Sequence, residues 1–302
     1  MQRDASTLSA DDLIHDLGRK AKDASLTLLD ASEDAINNAL RDTAKSLRTN
    51  QSSIIEKNKL DIERAKGKNL SKAQIDRLML NPQRLENMAA SLEKIADLPD
   101  PTSKILETVK RPNGLKIEKV TVPLGVLGLI YESRPNVTID AAALALKSHN
   151  AVILRGGSES LKTSLFLNKL MGQALENNNI PSESISIVSV PDRAMVSAIL
   201  RADQYIDVMI PRGGLGLIER VTKEARMPVF SHLDGICHVY IDKSADPEIA
   251  KSVTLNAKMR RTGICGAAET LLIDKNFDQE QAKYIVKDLI GAGCEVVGDE
   301  TV

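Results

Sequence analysis

The stretch Val126-Leu-Gly-Leu-Ile-Tyr131, followed by Ile139-Asp-Ala-Ala-Ala-Leu-Ala-Leu-Lys147 and then Ala151-Val-Ile-Leu154, decides the fold class. A short aliphatic run, a segment of helix length and a second short apolar run spell a strand, a crossover helix and a parallel strand. The first run is too short to cross a bilayer, and Pro123, Gly125 and Gly128 interrupt it and its approach, so it suits a buried strand. Working outward, extended runs recur at 185–190, 206–210, 238–241 and 270–273, with helical segments at 159–176, 193–201, 217–224, 247–257 and 279–290 between and after them. Alternation of this kind predicts an α/β fold, a Rossmann-type parallel sheet with helices on its faces. Glu295-Val-Val297 reads as one further strand, and the chain stops at Val302, abruptly for such a domain.

Upstream, the first hundred residues are helical in pattern. Ser32 can cap a segment whose Ile36, Leu40, Ala44 and Leu47 share one face. Ser71 and Gln74 have capping-box spacing ahead of Ile75, Leu78 and Met79, and Leu85, Met88, Ala89, Leu92, Ile95 and Ala96 form another stripe. Leu98-Pro-Asp-Pro101 closes the helical region. Residues 105–122 then read as two extended runs joined at Pro112-Asn113-Gly114, a hairpin signal and a protruding arm.

Composition excludes several function classes. The 302 residues are 42% hydrophobic and 27% charged, enough for a substantial core in two domains or one large one with an appendage. Forty basic against 41 acidic residues and 2% aromatic content leave neither a basic footprint nor stacking platforms, which argues against nucleic acid. The polar N-terminus does not read as a signal peptide and no apolar run reads as membrane-spanning, so a cytoplasmic protein is expected. Cys237, Cys265 and Cys294 are odd in number and widely spaced, and His15, His149, His232 and His238 are scattered, so neither a disulfide framework nor a metal site is expected.

Chemistry concentrates in Asn256-Ala-Lys258-Met-Arg260-Arg261-Thr-Gly263-Ile-Cys265-Gly266-Ala-Ala-Glu269. A thiol attacks as its thiolate, cations favour that form, and glycines let a carbonyl approach the backbone beside the sulfur. The commonplace alternative is a small buried hydrophobe, the usual fate of a free cysteine. Two strand-to-helix turns, Arg155-Gly156-Gly157-Ser158-Glu159 and Pro211-Arg212-Gly213-Gly214, combine glycines, an arginine and a helix start, which offers amide donors to a phosphate. Neither matches the Gly-x-Gly-x-x-Gly fingerprint or a Walker loop, and two tight turns are the plain alternative.

Three segments carry a family resemblance: Pro123-Leu-Gly125-Val-Leu-Gly128-Leu-Ile-Tyr131-Glu132-Ser-Arg134-Pro135-Asn136, Ala151-Val-Ile-Leu-Arg155-Gly156-Gly157-Ser158-Glu159, and the run from Asn256 through Cys265 to Glu269. The chain resembles the gamma-glutamyl phosphate reductases, the glutamate-5-semialdehyde dehydrogenases of proline biosynthesis within the aldehyde dehydrogenase superfamily. The resemblance implies an NADP-binding domain over 1–234, with 105–122 an oligomerisation hairpin, and a catalytic domain from 235, partial over 235–302. It implies Cys265 as nucleophile and Asn136 as an oxyanion donor, the electrostatic partner that a tetrahedral intermediate needs. It implies cofactor contacts from Lys147, Arg155, Gly156, Gly157, Ser158 and Glu159, with Lys147 and Arg155 candidates for the 2′-phosphate of NADP. Pro211, Arg212, Gly213 and Gly214 would meet the pyrophosphate, and Arg134, Asn256, Lys258, Arg260 and Arg261 the acyl phosphate and carboxylate of the substrate.

The implied reaction is NADPH-dependent reduction of L-glutamyl 5-phosphate to L-glutamate 5-semialdehyde and phosphate through a cysteine thioester, by a cytoplasmic oxidoreductase of amino-acid biosynthesis. A homo-oligomer and association with glutamate 5-kinase are the implied partnerships. Two departures bear on this. Aldehyde-oxidising relatives carry a water-activating glutamate in a Glu-Leu-Gly-Gly stretch, whereas Val229-Phe-Ser-His232-Leu-Asp234-Gly235 lacks it, as suits an enzyme that must not hydrolyse its thioester. Members of the family also continue beyond the point matching Val302, so the resemblance implies a C-terminally truncated chain. General aldehyde oxidation, and an inactive fragment binding only nucleotide or a partner, are the alternatives.

Overall fold

The computed structural model describes residues 9–67, 70–232, 235–262 and 264–298. The chain divides into two compact units, Met1–His232 and Leu233–Val302.

The first unit begins with helices set by their caps. Ser9 and Asp12 close a capping box on α1 (Ala10–Leu29), Ser32 accepts from the Ala35 amide at the head of α2 (Glu33–Thr49), and α3 (Gln51–Lys66) follows directly. Ser71 and Gln74 box α4 (Lys72–Leu78), and Asn81 with Pro82 starts α5 (Pro82–Ala96). The predicted stripes are core: Ile36, Leu40, Ala44 and Leu47 of α2 are buried, as are Leu85, Met88, Ala89, Leu92 and Ala96 of α5. Met79 departs from its stripe. It turns extended just past the end of α4 and is 36% exposed.

Among the described residues the strands form three sheets. The antiparallel hairpin β1 (Ile105–Lys110) and β2 (Lys116–Val120) turns at Gly114, whose φ of 84° is one that glycine adopts freely. The parallel sheet holds β3 (Val126–Tyr131), β4 (Ala151–Arg155), β5 (Ile185–Ile187) and β6 (Val208–Arg212), in the order β5-β4-β3-β6. All six residues of β3 are buried, as a central strand covered on both faces requires. The crossover helices α6 (Pro135–Lys147) and α7 (Leu161–Asn177) pack with α2, α3 and α5, while α1 packs on β4 and on α8 (Ala194–Leu200). After β6 comes α9 (Leu215–Glu224). The core runs without a break from the N-terminal helices into the sheet.

The second unit is a smaller βαβα arrangement: β7 (Cys237–Ile241), α10 (Pro247–Met259), β8 (Ala268–Ile273) and α11 (Gln279–Gly291), with β7 parallel to β8. Its core is Ile241, Ala250, Phe277, Ala282 and Ile285. The strand read at Glu295-Val-Val297 is not formed. That segment is irregular with Val297 exposed, and it has no pairing partner among the described residues.

Candidate functional site

The order of the parallel sheet locates a crevice. From β3 the chain steps outward through β4 to β5, then returns to place β6 on the other side of β3, so the direction of winding reverses between β3 and β6. Ligands of open α/β sheets bind beyond the carboxyl ends of strands at such a reversal. Those ends are Tyr131-Glu132-Ser133 and Arg212-Gly213-Gly214, with Tyr131 opposite Arg212 in register and the Glu132 amide donating to the Arg212 carbonyl at 3.1 Å. A cavity of about 410 Å³ opens here, lined by Glu132, Ser133, Arg134, Arg155, Gly157 and Glu159 among others.

Close approach favours glycine in both turns. A Cβ on Gly156 would lie 2.9 Å from the Tyr131 ring, one on Gly157 would meet Ser133, and one on Gly213 would lie 2.9 Å from the Glu132 side chain. Glu159 is held by Ser133 Oγ at 2.6 Å and Ser158 Oγ at 2.8 Å. Burial pushes the Arg155 guanidinium below the usual arginine value, and Arg220 adds to this against the opposing pull of Glu159. Such a cation gains from a further anion in its neighbourhood.

The amide donors expected to be free at both helix starts have partners from within the chain. At α7, the buried Asp61 of α3 accepts from Lys162 N at 3.3 Å, Thr163 N at 2.8 Å and Thr163 Oγ1 at 2.7 Å. The start of α7 is therefore a structural cap and not an anion site. At α9, the exposed Glu132 carboxylate accepts from the Gly214 amide at 2.7 Å. One exposed contact is displaceable in a way that a buried three-bond cap is not.

Asn136 lies in the first turn of α6, partly buried, its side-chain amide donating to Asp140 Oδ2 at 3.0 Å. Burial raises the Asp140 carboxyl above the usual aspartate value, with the Asn136 hydrogen bond working the other way. Arg134 is the residue before that helix and lines the cavity. Lys147 does not join them. It ends α6 at the amino edge of the sheet, opposite the Gly156-Gly157 turn, and its buried ammonium donates to Glu33 at 3.0 Å, Asn37 at 2.7 Å and the Ala96 carbonyl at 3.2 Å. With its three donors spent on the N-terminal helices, Lys147 is a structural cation and no phosphate ligand.

In the second unit Cys265 is exposed on the turn ahead of β8, closed by the Ala267 amide donating to the Ile264 carbonyl at 3.0 Å. It is not the small buried hydrophobe of the alternative reading. Gly235 and Cys237 back the turn: a Cβ on Gly235 would stand 2.5 Å from the Cys265 carbonyl oxygen, and Cys237 Sγ donates to that oxygen at 3.4 Å. Lys258, on the last turn of α10, pairs with Glu269 at 2.9 Å, while Asn256, Arg260 and Arg261 are exposed. Gly263 and Asp234 lie outside the described residues. Asp61, Glu132 and Cys237 went unsingled in the sequence. Asp61 sits 100 residues from the helix it caps and gives no local signal, whereas Glu132 lay inside a quoted motif and could have been found from its place at a strand end.

No group of three or more His, Cys, Asp or Glu that could hold a metal occurs among the described residues, and none of their helices is long and apolar enough to cross a membrane. Residues 7–291 match the model of the aldehyde dehydrogenase family. The gamma-glutamyl phosphate reductase of Paramagnetospirillum magneticum is 51% identical over 289 residues, covering 96% of this chain and 68% of the relative. That of Brucella suis is 49% identical, covering 95% and 68%. The crystal structure of gamma-glutamyl phosphate reductase from Thermotoga maritima superposes with a TM-score of 0.86 at 36% identity, over 93% of this chain and 68% of that one. The Saccharomyces cerevisiae enzyme gives 0.68 at 31% identity.

Proposed function

This chain belongs to the aldehyde dehydrogenase family, among the gamma-glutamyl phosphate reductases, and on that premise we propose that it carries the NADPH-dependent reduction of L-glutamyl 5-phosphate to L-glutamate 5-semialdehyde through a thioester on Cys265. The observation that carries the reading is the exposure of Cys265 on a turn whose backbone is shaped by Gly235 and Cys237. A nucleophile must present its sulfur to solvent and substrate, which a core cysteine does not.

The first unit holds the features that suit a dinucleotide. The cavity at the winding reversal, the two glycine turns that a Cβ would fill, and the anion-seeking Arg155 fit the 2′-phosphate and ribose on the β4 side and the pyrophosphate at Gly213-Gly214. Glu132 stands at the pyrophosphate position and has to yield it. When bound, NADPH supplies a hydride to the acyl carbon. The chain's own residues do the rest: Cys265 sulfur adds to the γ-carbonyl, phosphate departs with the C–O bond electrons, and an acyl thioester remains on the sulfur. The Asn136 amide is assigned to the developing oxyanion, with Asp140 fixing its direction. Arg134, Asn256, Lys258, Arg260 and Arg261 are assigned to the substrate's anionic ends, where cations assist a leaving group that needs no strong acid. We assign the β1–β2 hairpin to contact with a second copy.

The test runs the reaction backward. Purified chain, NADP and glutamate semialdehyde should reduce the cofactor with inorganic phosphate and not without it, and Cys265→Ser should lose the activity by more than a thousandfold. Oxidation without phosphate would make it an ordinary aldehyde dehydrogenase. NADPH binding with no turnover would leave a nucleotide-binding protein.

A further inference from the structure

We propose that Cys237 is a resolving thiol for Cys265, so that oxidation of the exposed cysteine ends in a reversible Cys237–Cys265 disulfide. The two belong to one compact unit, Cys237 at the start of one strand of its sheet and Cys265 on the turn that leads into the other. Cys237 opens β7 opposite Ala268, and Cys265 lies three residues before Ala268 on the turn that folds back over the start of β7. The Cys237 sulfur already touches the Cys265 residue, donating to its carbonyl oxygen at 3.4 Å. Gly235 brings the backbones this close, since any larger residue would drive its Cβ into the same carbonyl. Cys265 is exposed, which gives an oxidant access and leaves the side chain room to rotate about its Cα–Cβ bond; Cys237 beside it is half-buried and so the less accessible of the two. This is the arrangement of a peroxidatic and a resolving thiol: an accessible sulfur beside a second one that waits.

The chemistry needs a peroxide as oxidant. The Cys265 thiolate attacks one oxygen of hydrogen peroxide, the O–O bond breaks, hydroxide leaves, and Cys265 becomes a sulfenic acid. The Cys237 thiolate then attacks the Cys265 sulfur, the S–O bond breaks, hydroxide leaves and takes up the thiol proton as water, and the S–S bond forms. In sum two thiols lose two hydrogens while one peroxide is reduced to two waters. A dithiol undoes the disulfide by exchange, returning both cysteines to thiols while its own two sulfurs join in a disulfide. Without Cys237 the sulfenic acid has no such exit and advances to sulfinic acid, which a dithiol does not restore.

Intact mass and non-reducing peptide mapping of the full chain after a brief exposure to peroxide test this whether or not the chain turns over substrate. The expected result is a peptide joining Cys237 to Cys265, lost on treatment with dithiothreitol. In Cys237→Ser, labelling of Cys265 by a sulfenic-acid trap should rise severalfold and sulfinic acid should accumulate there, while Cys294→Ser behaves as the unmutated chain. Sulfinic acid at Cys265 in the unmutated protein with no 237–265 peptide, or a link from Cys265 to Cys294 in its place, overturns the proposal without calling on any variant. Because the mapping reads sulfur connectivity and not catalysis, its failure is separable from failure of the reductase reading.

Discussion

Asp140 is a carboxylate kept where its charge is unwelcome, and the reason is its neighbour. Burial raises its pKa above the usual aspartate value, and the donated Asn136 amide offsets only part of this. A folded-state pKa above the unfolded one means that holding the group ionised costs stability at every pH above the folded value, a cost relieved as pH falls through it. Asp140→Asn keeps an acceptor for Asn136 and removes the charge. The variant should be more stable than the parent at neutral pH by denaturant titration, with the advantage shrinking in acid; an unchanged difference at all pH values would separate Asp140 from that cost. Glu132 invites the opposite experiment. Its carboxylate occupies the amide at the start of α9, so Glu132→Gln removes a competing negative charge, worth about 0.3–1 kcal/mol at a helix start, or about twofold to fivefold tighter NADPH binding. Fluorescence titration of the cofactor reads this, and weaker binding would mean that Glu132 helps to hold the ligand. Lys147 marks the limit of reading single residues from sequence. The family resemblance offers Lys147 as a phosphate ligand, but a helix running back along the sheet carries it to the opposite edge, where Glu33, Asn37 and the Ala96 carbonyl consume it.

At the scale of elements, local chemistry made most of the fold legible. Capping residues and stripes set α2, α4 and α5, and the apolar run over Val126–Tyr131 is β3 residue for residue, since a strand buried on both faces has no polar positions to blur its ends. Illegible were the tertiary decisions: that Asp61 of α3 caps α7, and that Glu295-Val-Val297, however strand-like, finds no pairing partner among the described residues. The hairpin was legible from Pro112-Asn113-Gly114, and its surface carries the next prediction. Every residue of β1 and β2 is exposed, including Ile105, Leu106, Val109, Ile117 and Val120, and Val109 stands opposite Ile117 in register. A two-stranded ribbon alone is marginal in water, and exposed apolar pairs of this kind mark an association surface. Ile117→Glu should lower the mass found by light scattering in solution to that of one chain while leaving the far-ultraviolet circular dichroism unchanged. A chain that is already monomeric, or an assembly indifferent to the substitution, would remove the hairpin from the interface.

For the molecule as a whole, the two units differ in what holds each of them. The first has one cluster that joins helix residues such as Ile14 and Leu92 to sheet residues such as Ile130, Ile153 and Met209, and its central strand is buried throughout. The second has five buried apolar residues in its cluster, a sheet of two strands, and Tyr240 and Leu272 exposed at 58% and 47% on those strands. A unit of that size buries a smaller share of its surface than a large one and retains less stability after conformational entropy is counted. Opening free energy should therefore be lower in the second unit, which hydrogen exchange measures directly. Amides of β7, β8, α10 and α11 should exchange ahead of those of β3, β4, β6 and α6 under the same conditions, and 1-anilinonaphthalene-8-sulfonate should report the exposed apolar strand residues. Equal protection across β3 and β8 would show that the small cluster is not what limits the second unit. The expected inequality has a chemical consequence: Cys265, the proposed nucleophile, is exposed on a turn of the second unit, so its sulfur would be carried by the backbone expected to open first. A ligand that binds the folded second unit should slow exchange across β8 in proportion to its saturation, while β3 keeps the rate it had.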